Sequence, residues 1–408
     1  MLLLALPRQS VRADTTFELL PTATVGVNTN ASAVVNGAHD EFTMLGALGR
    51  LQRRGARSTF SLGYRLGYTK YFQGNGTDTL ANELLGQSSL ELARALELRL
   101  NVGAILSRTS QVGTLGLLVP QASATGSAIY LATTAGEEMT YDPTPRWRLT
   151  ESFTYTRVDY LFSDPAPNRR PSTALTGGGR VDWTRALDTY SLDVHITDFL
   201  LGPVPATATT PELFAGSMLL GQALVGWRRE LSIAWSAELQ AGAAYMSNGP
   251  NPDLYAPAGI VTLGYRWLTW YATLQASQLP VANLFQAFAS VNDQASVRLV
   301  LPLDKRELMM VAATGAVIYA RASDANGDLF RAYDQQTAGA RVSARHERLP
   351  FAAALEYQFI HQNGGPGVGV PVGDLIRHVF MLHITAAFSW GPGTPPLLEG
   401  GRLTMPER

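Results

Sequence analysis

The sequence contains no cysteine, which removes disulfide frameworks, thiol catalysis and cysteine metal sites together. Lysine is almost as scarce, with Lys70 and Lys305 alone. Charged residues make up 16% of the chain, below the roughly 25% usual for a soluble domain. The near-zero net charge gives no basic footprint, so nucleic acid is not an expected partner. No run of about twenty apolar residues occurs, which excludes membrane-crossing helices. The HExxH, GxSxG and phosphate-loop patterns are missing too. The histidines are scattered, except that His378 and His383 fall on opposite parities of one segment, so no metal site is expected. Gly177 to Gly179 lie within a strand pattern, and the loop GGPGVGVPVG opens no helix. Both read as backbone devices rather than phosphate cradles. Ser191, Asp193 and His195 share one face, but Ser191 and His195 would stand about 13 Å apart on an extended strand, too far for a nucleophile and its base. The chain is therefore read as a non-enzyme, with no catalytic residue, cofactor or metal.

What is present is alternation. In FSLGYRLGYTKY, residues Phe60, Leu62, Tyr64, Leu66 and Tyr68 share one parity, while Ser61, Gly63, Arg65, Gly67 and Thr69 share the other. That is the period of a strand. One such segment fits a soluble sandwich or a membrane barrel equally well. The pattern recurs every twenty residues or so, however, as in Leu96 to Leu106, Tyr190 to Thr197, Leu231 to Tyr245 and Phe351 to Phe359. The connections alternate between tight arginine-rich turns and longer loops rich in Gly, Pro, Asn and Asp. Together these predict an all-β, transmembrane, antiparallel up-and-down barrel of about eighteen strands (16–20) over residues 14–390. Tryptophan is segregated as a membrane interface requires: Trp147, Trp183, Trp227, Trp267, Trp270 and Trp390 lie near the short turns or the last strand end. Tyr71, Tyr160 and Tyr245 are expected in the opposite girdle. On the other parity, Arg65, Glu97, Arg99, Arg180, Asp182, Asp193, His195, Glu238, Arg266, Arg298, Arg341 and Glu356 are expected to line a wet lumen.

By its girdles, its alternation and its loop asymmetry the chain resembles the bacterial outer-membrane β-barrel superfamily (porin-like) from about Thr22 to Trp390. The resemblance implies a pore or transport role, both termini periplasmic, the longer loops at the cell surface, and contact with outer-membrane lipid and lipopolysaccharide. It also implies handling by the barrel assembly machinery, whose aromatic-ended signal the last strand RHVFMLHITAAFSW resembles, although this chain continues past Trp390. Residues 1–13 read as a truncated signal peptide and 391–408 as a Gly/Pro-rich periplasmic tail. Because no connection clearly exceeds about eighteen residues, an open lumen is expected. That favours passage or export of carbohydrate or polysaccharide, with a periplasmic secretion partner. The alternatives are a solute-uptake porin, and an outer-membrane enzyme or structural barrel with a plugged lumen.

Overall fold

In the computed structural model the alternation becomes eighteen long strands. They are β1 (Asp14–Asn28), β2 (Asp40–Arg54), β3 (Ser58–Tyr71), β4 (Thr79–Ala93), β5 (Leu96–Arg108), β6 (Ile129–Thr144), β7 (Trp147–Leu161), β8 (Ser172–Arg185) and β9 (Asp188–Leu201). The second half comprises β10 (Gly216–Glu230), β11 (Trp235–Asn248), β12 (Asn251–Trp267), β13 (Trp270–Asn283), β14 (Phe288–Pro302), β15 (Met309–Ser323), β16 (Leu329–Arg345), β17 (Phe351–Gly364) and β18 (Asp374–Ala386). The structure describes residues 14–30, 37–108, 129–161, 170–203, 215–248, 251–267, 270–284, 288–304, 306, 308–323, 329–346, 349–364 and 374–390. The segment 1–13, the apolar loop Val112 to Pro120, the glycine-rich loop before β18 and the tail 391–408 lie outside them.

Every strand pairs antiparallel with its neighbours in the chain, and β18 closes on β1 from Thr22↔Thr385 to Asn28↔Val379. Beyond Ala387 the segment Phe388–Trp390 continues along β1, where Trp390 stacks on Phe17 at 5.6 Å. Where the sheet is closed on itself its strands have no edge, and this satisfies the backbone in a medium that offers it no hydrogen bonds. The register then fixes the two faces. Leu62, Leu100, Leu192, Val225, Leu274 and Leu355 point outward and are exposed. Leaving such side chains in water would forgo about 1.5–3 kcal/mol each, so this outer skin has lipid as its solvent. Carboxylates interrupt the skin at several places, among them Glu137, opposite Leu100 and Phe153, and Glu151, opposite Met139, all on the outward parity. The chain is thus a transmembrane β-barrel of the bacterial outer-membrane type.

The expected open lumen is corrected by one hairpin. Pairing of β12 with β13 stops at Gly259↔Gln278, although β13 stays paired to β14 as far as Asn283↔Phe288. Beyond Gln278 the β13–β14 hairpin leaves the wall and lies on the inner face of strands β8 to β12. There Ala282, Leu284 and Ala289 pack against Ala174, Phe199, Leu201, Leu220, Met246 and Leu254. Deeper down, Leu279 packs against Leu224, Ala244, Ala258 and Ile260. The Ser172 hydroxyl donates to the Leu284 carbonyl at 2.5 Å, tying the hairpin tip to a strand five places round the barrel. The hairpin turn is short, so loop length gave no sign that a strand pair could bend inward as a unit.

The aromatic girdles also differ in part from expectation. Trp147 and Trp183 face each other across β7 and β8 on the outward parity, 6.3 Å apart, and Trp183 stacks on Tyr190. Trp227, Trp267 and Trp270 share that face, and the Trp227 indole N–H donates to Asp188 at 2.9 Å. Trp235 opens β11 at the short-turn end, because the Ser232 hydroxyl accepts from the Ala234 and Trp235 amides and turns the chain there. At the long-loop end Tyr245 pairs outward with Tyr255, their rings 5.2 Å apart. Tyr71 and Tyr160 are not in that girdle. Tyr71 falls on the parity of Arg65 and is buried against Phe42, Val379 and Met381 inside the barrel. Tyr160 shares the inward parity of the fully buried Val158. An aromatic near a strand end signals an interface only when its parity also faces lipid.

Candidate functional site

The register places all twelve charged or histidine positions expected at the lumen on the inward parity: Arg65, Glu97, Arg99, Arg180, Asp182, Asp193, His195, Glu238, Arg266, Arg298, Arg341 and Glu356. They form clusters rather than one ring. The largest centres on Arg180 of β8. Its Nε donates to Asp182 at 2.9 Å, while Asp193 on β9 and Glu238 on β11 lie 3.9 and 3.8 Å from its terminal nitrogens. His195 Nε2 stands 2.7 Å from Asp193, and the Gln240 amide donates to Glu238 at 2.6 Å. His195 is thus committed to Asp193 rather than to Ser191. Glu238 on β11 comes within reach of Arg180 because β10, between β9 and β11, contributes the apolar and small inward residues Leu224 and Gly226 beside Asp193 and Ser191.

A second cluster lies on β4 to β7. Arg99 donates to Glu97 at 2.9 Å and to Glu138 at 3.3 Å, and the Ser89 hydroxyl also donates to Glu97 at 2.7 Å. Arg148 completes it with a two-nitrogen grip on Asp142 at 2.9 and 3.1 Å. The third joins β16 to β18: Glu356 lies 3.5 Å from Arg341 and 3.3 Å from His383 Nε2, whose Nδ1 meets the Thr24 hydroxyl at 2.8 Å. Arg65 reaches the buried Glu83 across one strand gap at 3.2 Å. Arg298 has no carboxylate partner among the described residues and sits over the Tyr271 ring at 5.6 Å.

Glu83, Glu138, Asp142 and Arg148 were not foreseen. Glu137 and Glu138 are adjacent, so alternation puts one carboxylate on each face without saying which. Only the pairing of Arg99 with Glu138 settles it. Most of these groups lie within five residues of a short turn. Toward the long loops the inner face of β8 to β12 is apolar and carries the hairpin, while on the side of β16 to β2 the inward residues Asn28, Asp40, Gln335, Gln362 and Arg377 are polar and buried. The lumen is therefore zoned along its axis: a charged, mixed-sign belt at the short-turn half and, above it, a half into which the hairpin packs on the apolar side of the wall. Such a belt presents both hydrogen-bond donors and acceptors on the inner wall.

No protein-family model matches the sequence, and no curated protein matches it. Solved structures similar to it in outline include OpdK of Pseudomonas aeruginosa with vanillate, at TM-score 0.48 and 8% identity over 92% of this chain and 99% of that one. OpdO of Pseudomonas aeruginosa is similar at TM-score 0.47 and 12% identity over 93% of this chain and 97% of that one. OccAB4 of Acinetobacter baumannii is similar at TM-score 0.48 and 10% identity over 94% of this chain and all of the other.

Proposed function

We propose that the protein is an outer-membrane pore for small hydrophilic solutes, working in uptake, with its short turns and both chain ends toward the periplasm. The observation that carries this reading is the inward β13–β14 hairpin above a charged belt. A polymer in export needs a passage clear along its whole length, and a strand pair packed against five wall strands narrows it. A small solute needs only a narrow, wet path with groups that exchange its hydration shell. The carbohydrate-export reading therefore gives way to solute uptake.

Planar-bilayer conductance tests this. The full chain is expected to conduct in small steps. A variant in which residues 281–290 are replaced by a two-residue turn is expected to conduct in larger ones, and to admit larger sugars in liposome swelling. If neither forms a channel while both show the heat-modifiable gel mobility of a folded barrel, the lumen is plugged and the pore reading fails.

A further inference from the structure

We propose that the fissure left where β13 departs from β12 is a binding site for the hydrocarbon chain of an amphiphile from the surrounding leaflet. It opens on the lipid side of the wall, and its inner side is lined by inward-parity residues, Gln240 of the Arg180 cluster among them. The fissure is no frayed end: beyond Gly259↔Gln278, β12 remains paired with β11 to Asn248↔Asn251, and β13 with β14 to its last residue. It is also written in the sequence. Had the ladder continued in register, Pro257 would have faced Pro280. Neither has an N–H to give, and proline within a sheet is confined to edges. The split makes both positions edges.

The cavity there is about 570 Å³ and is lined from both faces of the wall. Val261, Ala276, Ala295 and Val317 come from the lipid-facing parity, while Ala258 and Ile260 come from the inward one. The cavity's chemistry is graded. Ala276, Ala295 and Val317 stand in one row across β13, β14 and β15, and the next row toward the long loops is Gln278, Asp293 and Tyr319. Arg321 meets Asp293 at 2.8 Å just beyond. On the lipid-facing side an apolar floor lies under a polar, charged rim, with Ser277 and Gln294 on the inward parity behind it, an arrangement that fits a molecule with a hydrocarbon tail and a polar head. Its mouth opens beside exposed Val261 and Val317, where the solvent is acyl chain. The edge of β12 above Gly259 has no ladder partner on this side, and in hydrocarbon such groups are costly unless something hydrogen-bonds them. A lipid head with ester carbonyls and hydroxyls meets that need, and a bare alkane does not.

The test uses the full chain in liposomes doped with a phospholipid carrying a photoactivatable diazirine on its acyl chain. Crosslinked peptides are expected to concentrate on β12 to β15. They should fall several-fold when Ala276→Phe and Ala295→Phe fill the floor, and be unmoved by Ala104→Phe, which faces lipid elsewhere. Labelling spread evenly round the barrel, or a folded double variant that labels like the parent, overturns the proposal. A second measurement holds even where the double variant does not fold. The protein has no native cysteine, so Ala276→Cys gives a single thiol. A water-soluble maleimide that fails to modify it in liposomes but does so in denaturant supports a chain-filled fissure, whereas rapid modification in liposomes means water fills it.

Discussion

Asp40, at the start of β2, organises a loop that belongs to the next hairpin. One carboxylate oxygen accepts the amides of Phe72 and Gln73 at 3.2 and 2.8 Å, and the other accepts those of Asn75 and Gly76 at 2.9 and 3.1 Å. Gly74 supplies the left-handed turn between the two pairs, with φ of 79°. The other end of the loop is pinned by Asp78, which accepts from the Lys70 ammonium at 2.6 Å and from the Tyr71 amide at 2.9 Å. The Lys70 hydrogen bond, helped by the Tyr71 amide, holds the Asp78 carboxyl below its ordinary value. A depressed carboxylate contributes stability that is complete above its unfolded pKa of about 3.9 and lost as pH falls through the lower folded value. Hydrogen exchange of the 71–78 amides, corrected for intrinsic rate, should therefore accelerate on acidification below about pH 4. Asp78→Asn should already be fast at neutral pH and show a smaller acid step. The remainder belongs to Asp40, which faces the same loop. Equal protection in the variant and the parent at every pH would mean that Asp78 does not hold the loop.

Strands are the element the sequence spelled out, because a two-residue period with lipid on one side and water on the other imposes the same rule on every span. FSLGYRLGYTKY lies within β3 and Tyr190 to Thr197 within β9, which runs on at both ends to Asp188 and Leu201. The inward hairpin was not spelled out. It depends on Phe199, Leu220 and Met246, which are apolar residues on the inward parity of strands far from β13 in the chain. Within each strand they read as exceptions, and only the assembled wall shows them as one surface. The prolines at 257 and 280 were the local signal, but their opposition appears only once the register is known. The same distinction sharpens a prediction about strand faces. Leu192→Arg, outward in β9, should impair assembly, since an arginine at the lipid midplane costs about 2–4 kcal/mol. Asn101→Arg, inward and exposed in β5, should be tolerated. Thr197→Arg should not be, despite its inward parity. Thr197 meets the Thr176 hydroxyl at 2.9 Å and lies opposite Leu220, under the hairpin. Folding yield by gel mobility checks all three, and equal yields for Leu192→Arg and Asn101→Arg would mean that the faces are misassigned.

At the scale of the whole barrel, the belt's mixed signs decide how it treats ions. Arg180 stands among Asp182, Asp193 and Glu238, and Arg99 between Glu97 and Glu138, so each arginine masks more than one carboxylate. Arg298 masks none among the described residues. Replacing any of the three by Gln removes one positive charge from the lumen, yet the local fields left behind differ. Without Arg180 three carboxylates from β8, β9 and β11 face one patch of water, a site that concentrates cations. The reversal potential measured in a salt gradient should therefore shift toward cations in the order Arg180→Gln, then Arg99→Gln, then Arg298→Gln, with the triple variant furthest. The order should be clear at low salt and collapse near 1 M, where the screening length is about 3 Å and a solute passing the wall no longer feels groups one strand away. Arg298→Gln should leave folding unchanged, because it gives up only a ring contact. Arg180→Gln should soften the barrel as well, since three like charges lose their common partner. A triple variant that conducts with unaltered selectivity at every salt concentration would mean that ions do not pass this belt, and the permeation path would then have to be sought elsewhere in the wall.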